Sequence, residues 1–380
     1  MLVFPPLTPD EARLRPTYAV VSLGALVANL QAVRRHVAPA RVMAILKANA
    51  YGHGVPAVAR ALSPYVDAFG VALVEEGIAL RKLGFEKPVL VLGGIWTAQI
   101  PLFLEHRLTL TVPSLVRLKE VEDAASVRKI RARIHLEIDT GMERIGVHHY
   151  NAEALLEAAH LSEHVEVEGV YSHFANADAD DLSDARRQLE RFQEVLRYYE
   201  RSSIVPPLKH IANSAALLRM KDSHLDLVRP GLILYGVYPF ATDEKPIQVT
   251  PALSWKSRVV YFKVVKAGSP VSYGSTWRSD HDVRMVTVPV GYGDGYFRSM
   301  SNKAQVLLRG QRHAQAGTIC MDQMMVNIEQ GSGYNGDEVV LIGEQDGQRV
   351  TVEELARWAG TIPYEILTAI SERVPRVYET

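Results

Sequence analysis

The chain has 380 residues, 47% of them apolar and 22% charged, and its 42 basic and 43 acidic side chains give a formal net charge of −1. That length predicts two domains, and the balanced charge leaves no electrostatic footprint for nucleic acid or an anionic membrane. A single cysteine, Cys320, excludes an intrachain disulfide and fits a reducing compartment.

The opening MLVFPPLTPDEARLRP lacks a basic start followed by a long apolar core, so no signal peptide is expected. No apolar run approaches the roughly 20 residues that cross a bilayer, and a cytoplasmic location is the expectation. The first predicted helix follows Ser22, its expected N-cap, with Leu26, Leu30, Val33 and Val37 as the buried stripe. From about Arg41 to Gly231, short β-rich runs alternate with helical stretches. The runs are 42–47, 68–74, 88–94, 108–112, 133–139, 165–173, 208–212 and 224–230. The clearest helix is 183–201, where Leu189, Phe192, Leu196 and Tyr199 recur every three or four residues and Ser183 is the expected N-cap. Eight strands alternating with helices predict an α/β fold, a (β/α)8 TIM-type barrel. An open doubly wound sheet is the competing architecture, but no GxGxxG follows any strand.

After about Phe240 the texture changes. A proline-bearing linker, 241–251, leads into β-rich runs without intervening helices, and only 351–360 and 363–370 look helical. The expected division is a barrel over 1–242 and a mostly β C-terminal domain over 243–380. Residues about 1–22 are available to pack on the latter.

In such a barrel, chemistry sits at the C-terminal ends of the strands. Those ends carry Lys47, Asp139 followed by Arg144, His173, Asn213-Ser214, and Arg229. Each has an ordinary structural explanation when taken alone. Together, a lysine after the first strand, a helix-capping Ser214 after the seventh and an arginine after the eighth fit a cofactor bearing a phosphate and a carbonyl. Helix N-termini and backbone N–H groups in the last two loops hold phosphate, and a lysine amine forms a Schiff base with an aldehyde.

The segment AILKANAYGHG (44–54) closely resembles the signature of alanine racemases. The resemblance continues at IDTGMERIGV (138–147), YSHFANAD (171–178), HIANSAA (210–216) and RPGLILYGV (229–237). In the second half it resumes at VSYGSTW (271–277), VGYGDG (290–295), ICMDQMMV (319–326) and PYEILTAISERVPRVY (363–378), so it spans nearly the whole chain in order. It implies that Lys47 carries pyridoxal 5′-phosphate and is one of two bases, with Tyr273 as the other. It implies further that Tyr51, Ser214, Gly231 and Tyr364 hold the phosphate with Asn213 alongside, that His173 lies near the pyridine ring, and that Arg229 faces the pyridine nitrogen. Arg144, Met321, Tyr273 and Tyr292 would shape the substrate pocket, with Asp322 in support. In this family a homodimer completes each site, so Tyr273, Tyr292 and Met321 would come from the partner subunit.

Racemising L- or D-alanine requires removing the α-proton from one face and returning it to the other, which two opposed bases accomplish. Unperturbed lysine titrates near about 10.4 and tyrosine near about 10, so both Lys47 and Tyr273 need tuning, and a nearby cation such as Arg144 would lower the tyrosine. Arginine only donates, so Arg229 disfavours protonation of the ring and leaves a weaker electron sink than a carboxylate would. One departure from the family concerns Glu137, where many relatives carry a lysine converted to an anionic carbamate. Glu137 is expected to pair with Arg144 directly. Cys320 reads as a small buried hydrophobe. His148, His149 and His210 lack metal-ligand grouping, and no metal is assigned.

Three other readings share parts of this pattern. A broad-specificity or serine racemase would use the same machinery, though such relatives are often exported or fused to membrane segments. A decarboxylase of basic amino acids or diaminopimelate would carry a glycine-rich phosphate loop and an acidic group at the ring nitrogen, against Arg229 and HIANSAA. A cofactor-binding protein made of the barrel alone would lack the second domain. The expected product for the cell is D-alanine for peptidoglycan.

Overall fold

The computed structural model describes residues 14–242 and 244–380, so the expected packing of residues 1–13 lies outside the described residues. These fall into two compact units.

The chain opens with β1 (Tyr18–Ser22) and a helix over Leu23–Val37, which buries Leu26, Leu30, Val33 and Val37 as the periodicity predicts. The barrel strands follow: β2 (Arg41–Ile45), β3 (Ala68–Val71), β4 (Val89–Val91), β5 (Thr109–Val112), β6 (Ala132–Asp139), a short β7 (Val147–His148), β8 (Val165–Tyr171), β9 (Leu208–His210) and β10 (Leu227–Val228). Eight of them run in the order β10-β2-β3-β4-β5-β6-β8-β9, while β7 pairs with β6. Every pairing is parallel. Beyond the paired ends of β9 and β10, Asp226 N–H donates to Lys209 O at 3.1 Å and Arg229 N–H to Ala212 O at 2.9 Å, so the barrel is nearly closed. Strands wrapped by helices are covered on both faces. That is why β3, β4 and β5 are buried throughout, without the alternation of a half-exposed sheet.

The helix over Ser183–Arg201 buries Leu189, Phe192 and Tyr199 against the barrel. Ser183 does not cap it, contrary to the expectation. It is the first helical residue, and the Asp181 carboxylate accepts its N–H at 2.9 Å and its hydroxyl at 2.6 Å. An ionised acceptor at a helix start makes the stronger hydrogen bond. The barrel unit runs to Thr250. Asn29 holds that end by accepting from Thr250 N at 2.8 Å and donating to Thr250 O at 2.8 Å.

The second unit is built on a ten-stranded sheet. Its strands are β11 (Leu253–Arg258), β12 (Tyr261–Val265), β13 (Val283–Val288), β14 (Gln305–Leu308), β15 (Gln311–Ala316), β16 (Met324–Asn327), β17 (Glu338–Gln345), β18 (Gln348–Val350) and β19 (Arg376–Glu379), together with β1. The first strand joins here because β1 pairs antiparallel with β11 and parallel with β19. Helices over Val352–Ala359 and Pro363–Ala369 complete the unit; Thr351 and Glu354 form a reciprocal cap at the first. Residues Tyr51–Gly54 also belong to it, an excursion that no periodicity in the sequence signals. A Cβ on Gly52 would stand 2.2 Å from Leu367 O, and its φ of +79° favours glycine as well.

Candidate functional site

Lys47 follows β2, and the turn after it is left-handed: Ala48, Asn49, Ala50 and Tyr51 have φ of 52°, 53°, 53° and 52°. Such a conformation costs L-residues roughly 1–2 kcal/mol each, so fixed partners must hold it. Ala50 N–H donates to Leu46 O at 2.9 Å, Glu76 accepts from Ala48 N at 2.7 Å, and Asn49 accepts from Val55 N at 2.9 Å. Glu76 also accepts from Ala72 N and Leu73 N, which makes it a supporting residue that the sequence reading missed. Lys47 is open to solvent yet sits in a recess walled by protein. Burial, then the Arg144 guanidinium, holds its ammonium below the usual lysine range; Glu76 opposes this and Arg229 adds to it.

Arg229, after β10, is only 3% exposed. Its Nη1 lies 2.7 Å from His210 Nδ1, and its Nη2 donates to Ser172 O at 2.8 Å and Ile211 O at 3.1 Å and lies 3.2 Å from His173 Nδ1. A guanidinium only donates, so His210 accepts at Nδ1, carries its proton on Nε2 and passes it toward His135 Nδ1, 2.8 Å away. One arginine thereby sets the tautomers of two buried imidazoles. Burial, then the Arg229 charge, keeps both neutral, with His135 pushed down to about 3 and His210 well below the histidine range. The Tyr171 ring stacks on His210 at 4.9 Å and 6°, and the guanidinium carbon lies 5.2 Å from the Tyr171 ring centroid. His135, Tyr171 and His210 are the second group missed from sequence. The polar face of β6 was its available signal.

His173, half-buried after β8, is held well below its usual range by burial, Arg229, Arg144 and Lys47. Gln188, from the helix over Ser183–Arg201, fixes its loop by donating to His173 O at 3.0 Å and accepting from Ala175 N at 2.9 Å. After β9, Asn213 rather than Ser214 caps the short helix Ser214–Arg219, accepting from Ala215 N at 3.1 Å and Ala216 N at 3.0 Å. The buried Ser214 hydroxyl accepts instead from Gly231 N at 2.8 Å and Ile233 N at 3.4 Å, tying the loop after β9 to the loop after β10.

The expected Glu137–Arg144 pair does not form; no ion pair joins them among the described residues. Glu137 stands directly opposite Tyr171 in the β6–β8 register, which turns its carboxyl toward the Tyr171 hydroxyl inside the barrel. That hydroxyl also lies 2.9 Å from Thr111 Oγ1. Glu137 is 3% exposed and its Oε2 has no partner. Burial pushes the carboxyl up to about 7, against the opposing pull of Tyr171, Arg229 and Arg144. Asp139, on the same face, accepts from Gly141 N and Met142 N and shapes the loop that leads to the exposed Arg144.

In the second unit the buried Tyr51 ring lies 6.0 Å from the Tyr364 ring, and burial with the Tyr364 neighbour raises the Tyr51 phenol. Tyr273 is 72% exposed, and its carbonyl accepts from Thr318 Oγ1 at 2.7 Å. Tyr292 and Met321 are also exposed, and their turns are joined where Gly293 N–H donates to Met321 O at 2.9 Å. Cys320 is half-buried, and its Sγ lies 3.5 Å from Ser272 Oγ. Among the described residues no group of three His, Cys, Asp or Glu side chains could hold a metal ion, and no helix is long and apolar enough to cross a membrane.

Comparison with known proteins decides the family. The alanine racemase N-terminal domain family matches residues 21–239, and the alanine racemase C-terminal domain family matches residues 252–378. The chain belongs to the alanine racemase family. It is 43% identical to an alanine racemase of Carboxydothermus hydrogenoformans over 96% of this chain and 100% of that one. It is 42% identical to alanine racemase 2 of Caldanaerobacter subterraneus subsp. tengcongensis, over 96% and 95%. Among solved structures, the alanine racemase of Streptomyces coelicolor A3(2) superposes with a TM-score of 0.90 at 37% identity, covering 97% of this chain and 99% of that one. The alanine racemase of Bacillus anthracis with bound L-Ala-P superposes with a TM-score of 0.90 at 33% identity, over 96% and 95%. Within this alanine racemase fold, the positions of Lys47, Arg229 and the Asn213-Ser214 pair are those of the barrel-end cluster described above.

Proposed function

We propose that this alanine racemase family member interconverts L-alanine and D-alanine with pyridoxal 5′-phosphate as cofactor. The observation that carries the reading is that the end of the barrel brings Lys47, its ammonium held below the usual range, near the buried Arg229 guanidinium, which only donates. The first suits an amine that bonds an aldehyde and accepts a proton. The second suits an unprotonated pyridine nitrogen as acceptor, and Ser214, Gly231 and Asn213 suit a phosphate between the last two barrel loops. Tyr51 and Tyr364 extend the phosphate set. When bound, the cofactor supplies the electron sink that acidifies the substrate Cα–H.

Every other step belongs to the chain's own side chains. Lys47 Nζ takes the Cα proton on one face and Tyr273 Oη returns one on the other, the roles exchanging with reaction direction. Arg144 and the Met321 turn orient the substrate carboxylate, and Tyr292 bounds the pocket against larger side chains. His173 flanks the ring and, held neutral, adds no charge to it. Tyr273, Tyr292 and Met321 are supplied by a second copy in a homodimer, a reading supported by their exposure on this chain. Glu137 supports the Arg229 cluster through Tyr171, and Asp322 supports the Met321 turn.

The test is covalent. Borohydride reduction of the holoprotein should fix the cofactor to Lys47, read by peptide mass, and Lys47→Ala should lose both the adduct and D-alanine formation. An adduct on another lysine would overturn the assignment.

A further inference from the structure

Asp294 is buried with no exposed side-chain surface, yet two arginines reach it. Arg15 Nη2 pairs with its Oδ1 at 2.6 Å, Arg373 Nε approaches the same oxygen at 3.4 Å, and Oδ2 accepts from Gly291 N at 3.1 Å. A buried carboxylate with two cations and a backbone donor is compensated, and removing one partner leaves it with another. Arg373 reaches further, since its Nη2 pairs with Asp322 Oδ1 at 2.6 Å.

The three turns around this carboxylate are joined through backbone. Tyr292 N–H donates to Cys320 O at 3.1 Å, Gly293 N–H to Met321 O at 2.9 Å, and Ser371 N–H to Asp294 O at 3.0 Å. Ser371 Oγ donates to Gly293 O at 3.0 Å. A Cβ on Gly293 would stand 2.2 Å from Arg373 Nη1 and 3.0 Å from Met321 O, so glycine is what lets the guanidinium and the two turns come together. Tyr292 and Met321 are exposed beside this assembly.

We propose that Arg373 is a positioning residue for substrate selection. By bridging Asp294 and Asp322 it locks the Tyr292 turn to the Met321 turn and sets the spacing of the two side chains that bound the substrate. The inference rests on the pocket reading given under Proposed function. A loose bridge widens that spacing. A substrate one hydroxyl larger than alanine then gains relative to alanine, while the bases that move the proton stay in place. Arginine suits the position because its planar fork contacts two carboxylates at once, which a lysine ammonium does less well.

The test measures kcat and KM for L-alanine and L-serine, by D-enantiomer formation, in the holoenzyme and in Arg373→Ala, Arg373→Lys and Asp322→Asn. Arg373→Ala should raise the KM for L-alanine about tenfold and narrow the alanine-over-serine ratio of kcat/KM about fivefold, with kcat within about threefold. Arg373→Lys should recover part of the loss. Asp322→Asn, a change at an exposed side chain that threatens no fold, should move KM and selectivity in the same direction. Adding it to Arg373→Ala should cost less than the two effects summed, because both remove one bridge. A parental KM and serine ratio in Arg373→Ala, or a change in melting temperature alone, would overturn the proposal. If the parent itself makes no D-alanine, the pocket reading fails first and takes this one with it.

Discussion

At the scale of single residues, Glu137 tests the account most sharply. The family pattern predicts an anion next to Arg144, whereas the structure buries the carboxyl against Tyr171 with one oxygen unpartnered. Its pKa rises from 4.5 to about 7, chiefly by burial. Between those values the folded chain keeps a proton that the unfolded chain has released. Glu137 therefore favours folding fully below about 4.5 and loses that contribution as pH rises through about 7. Replacing it with glutamine removes the titration. The stability of Glu137→Gln relative to the parent should improve between pH 4.5 and pH 8 by about 2–3 kcal/mol, read by urea unfolding at each pH. A difference independent of pH would mean that the carboxyl stays ionised throughout. Lys47 shifts in the opposite direction for the same leading reason, with burial and two arginines outweighing Glu76. None of these local fields is written in residue types alone. Glu137 is visible in the sequence as a departure from the family pattern, but only the β6–β8 register decides whether it meets Arg144 or Tyr171.

At the scale of elements, the barrel was legible because parallel strands buried on both faces read as short apolar runs, and each of the eight runs overlaps a strand. The helix over Ser183–Arg201 was legible for the complementary reason, a long stripe of period 3.6. Caps were less so: Ser183 is the first residue of its helix, behind Leu182 and bonded to Asp181, and Ser214 yields the capping role to Asn213. Serine, aspartate and asparagine all serve at N-caps, and sequence alone does not rank adjacent candidates. The consequence for Ser214 is that its hydroxyl stitches two loops together instead. Ser214→Ala should leave the buried Gly231 N–H without its acceptor, lowering stability by about 1–3 kcal/mol and weakening pyridoxal phosphate retention. Denaturant unfolding of the apoprotein and cofactor release on dialysis read the two effects separately. An unchanged midpoint together with unchanged retention would show that another group accepts from Gly231. Illegible in the sequence were the left-handed turn after Lys47 and the excursion of Tyr51–Gly54 into the second unit. Their signal is the pair of glycines in AYGHG, which marks unusual backbone without saying which.

At the scale of the whole molecule, one chain leaves Tyr273, Tyr292 and Met321 exposed, while Lys47 and Arg229 lie at the barrel end. The homodimer reading makes a quantitative prediction. Lys47→Ala and Tyr273→Ala homodimers should each be inactive, but co-refolding them in equal amounts should restore about one quarter of parental activity, since half the dimers are mixed and each holds one intact site. Restoration near zero would place both bases in the same subunit. The two proposed bases fall in different units, with Lys47 at the left-handed turn after β2 and Tyr273 among the loops of the β-rich unit.

The most direct test of the central claim is a chiral product analysis. The purified protein, loaded with pyridoxal phosphate, is incubated with a panel of L-amino acids, and each D-enantiomer is quantified by chiral chromatography. The account predicts D-alanine as the dominant product, approaching an equal mixture with L-alanine. No D-enantiomer of any substrate, from protein that binds the cofactor, would contradict it.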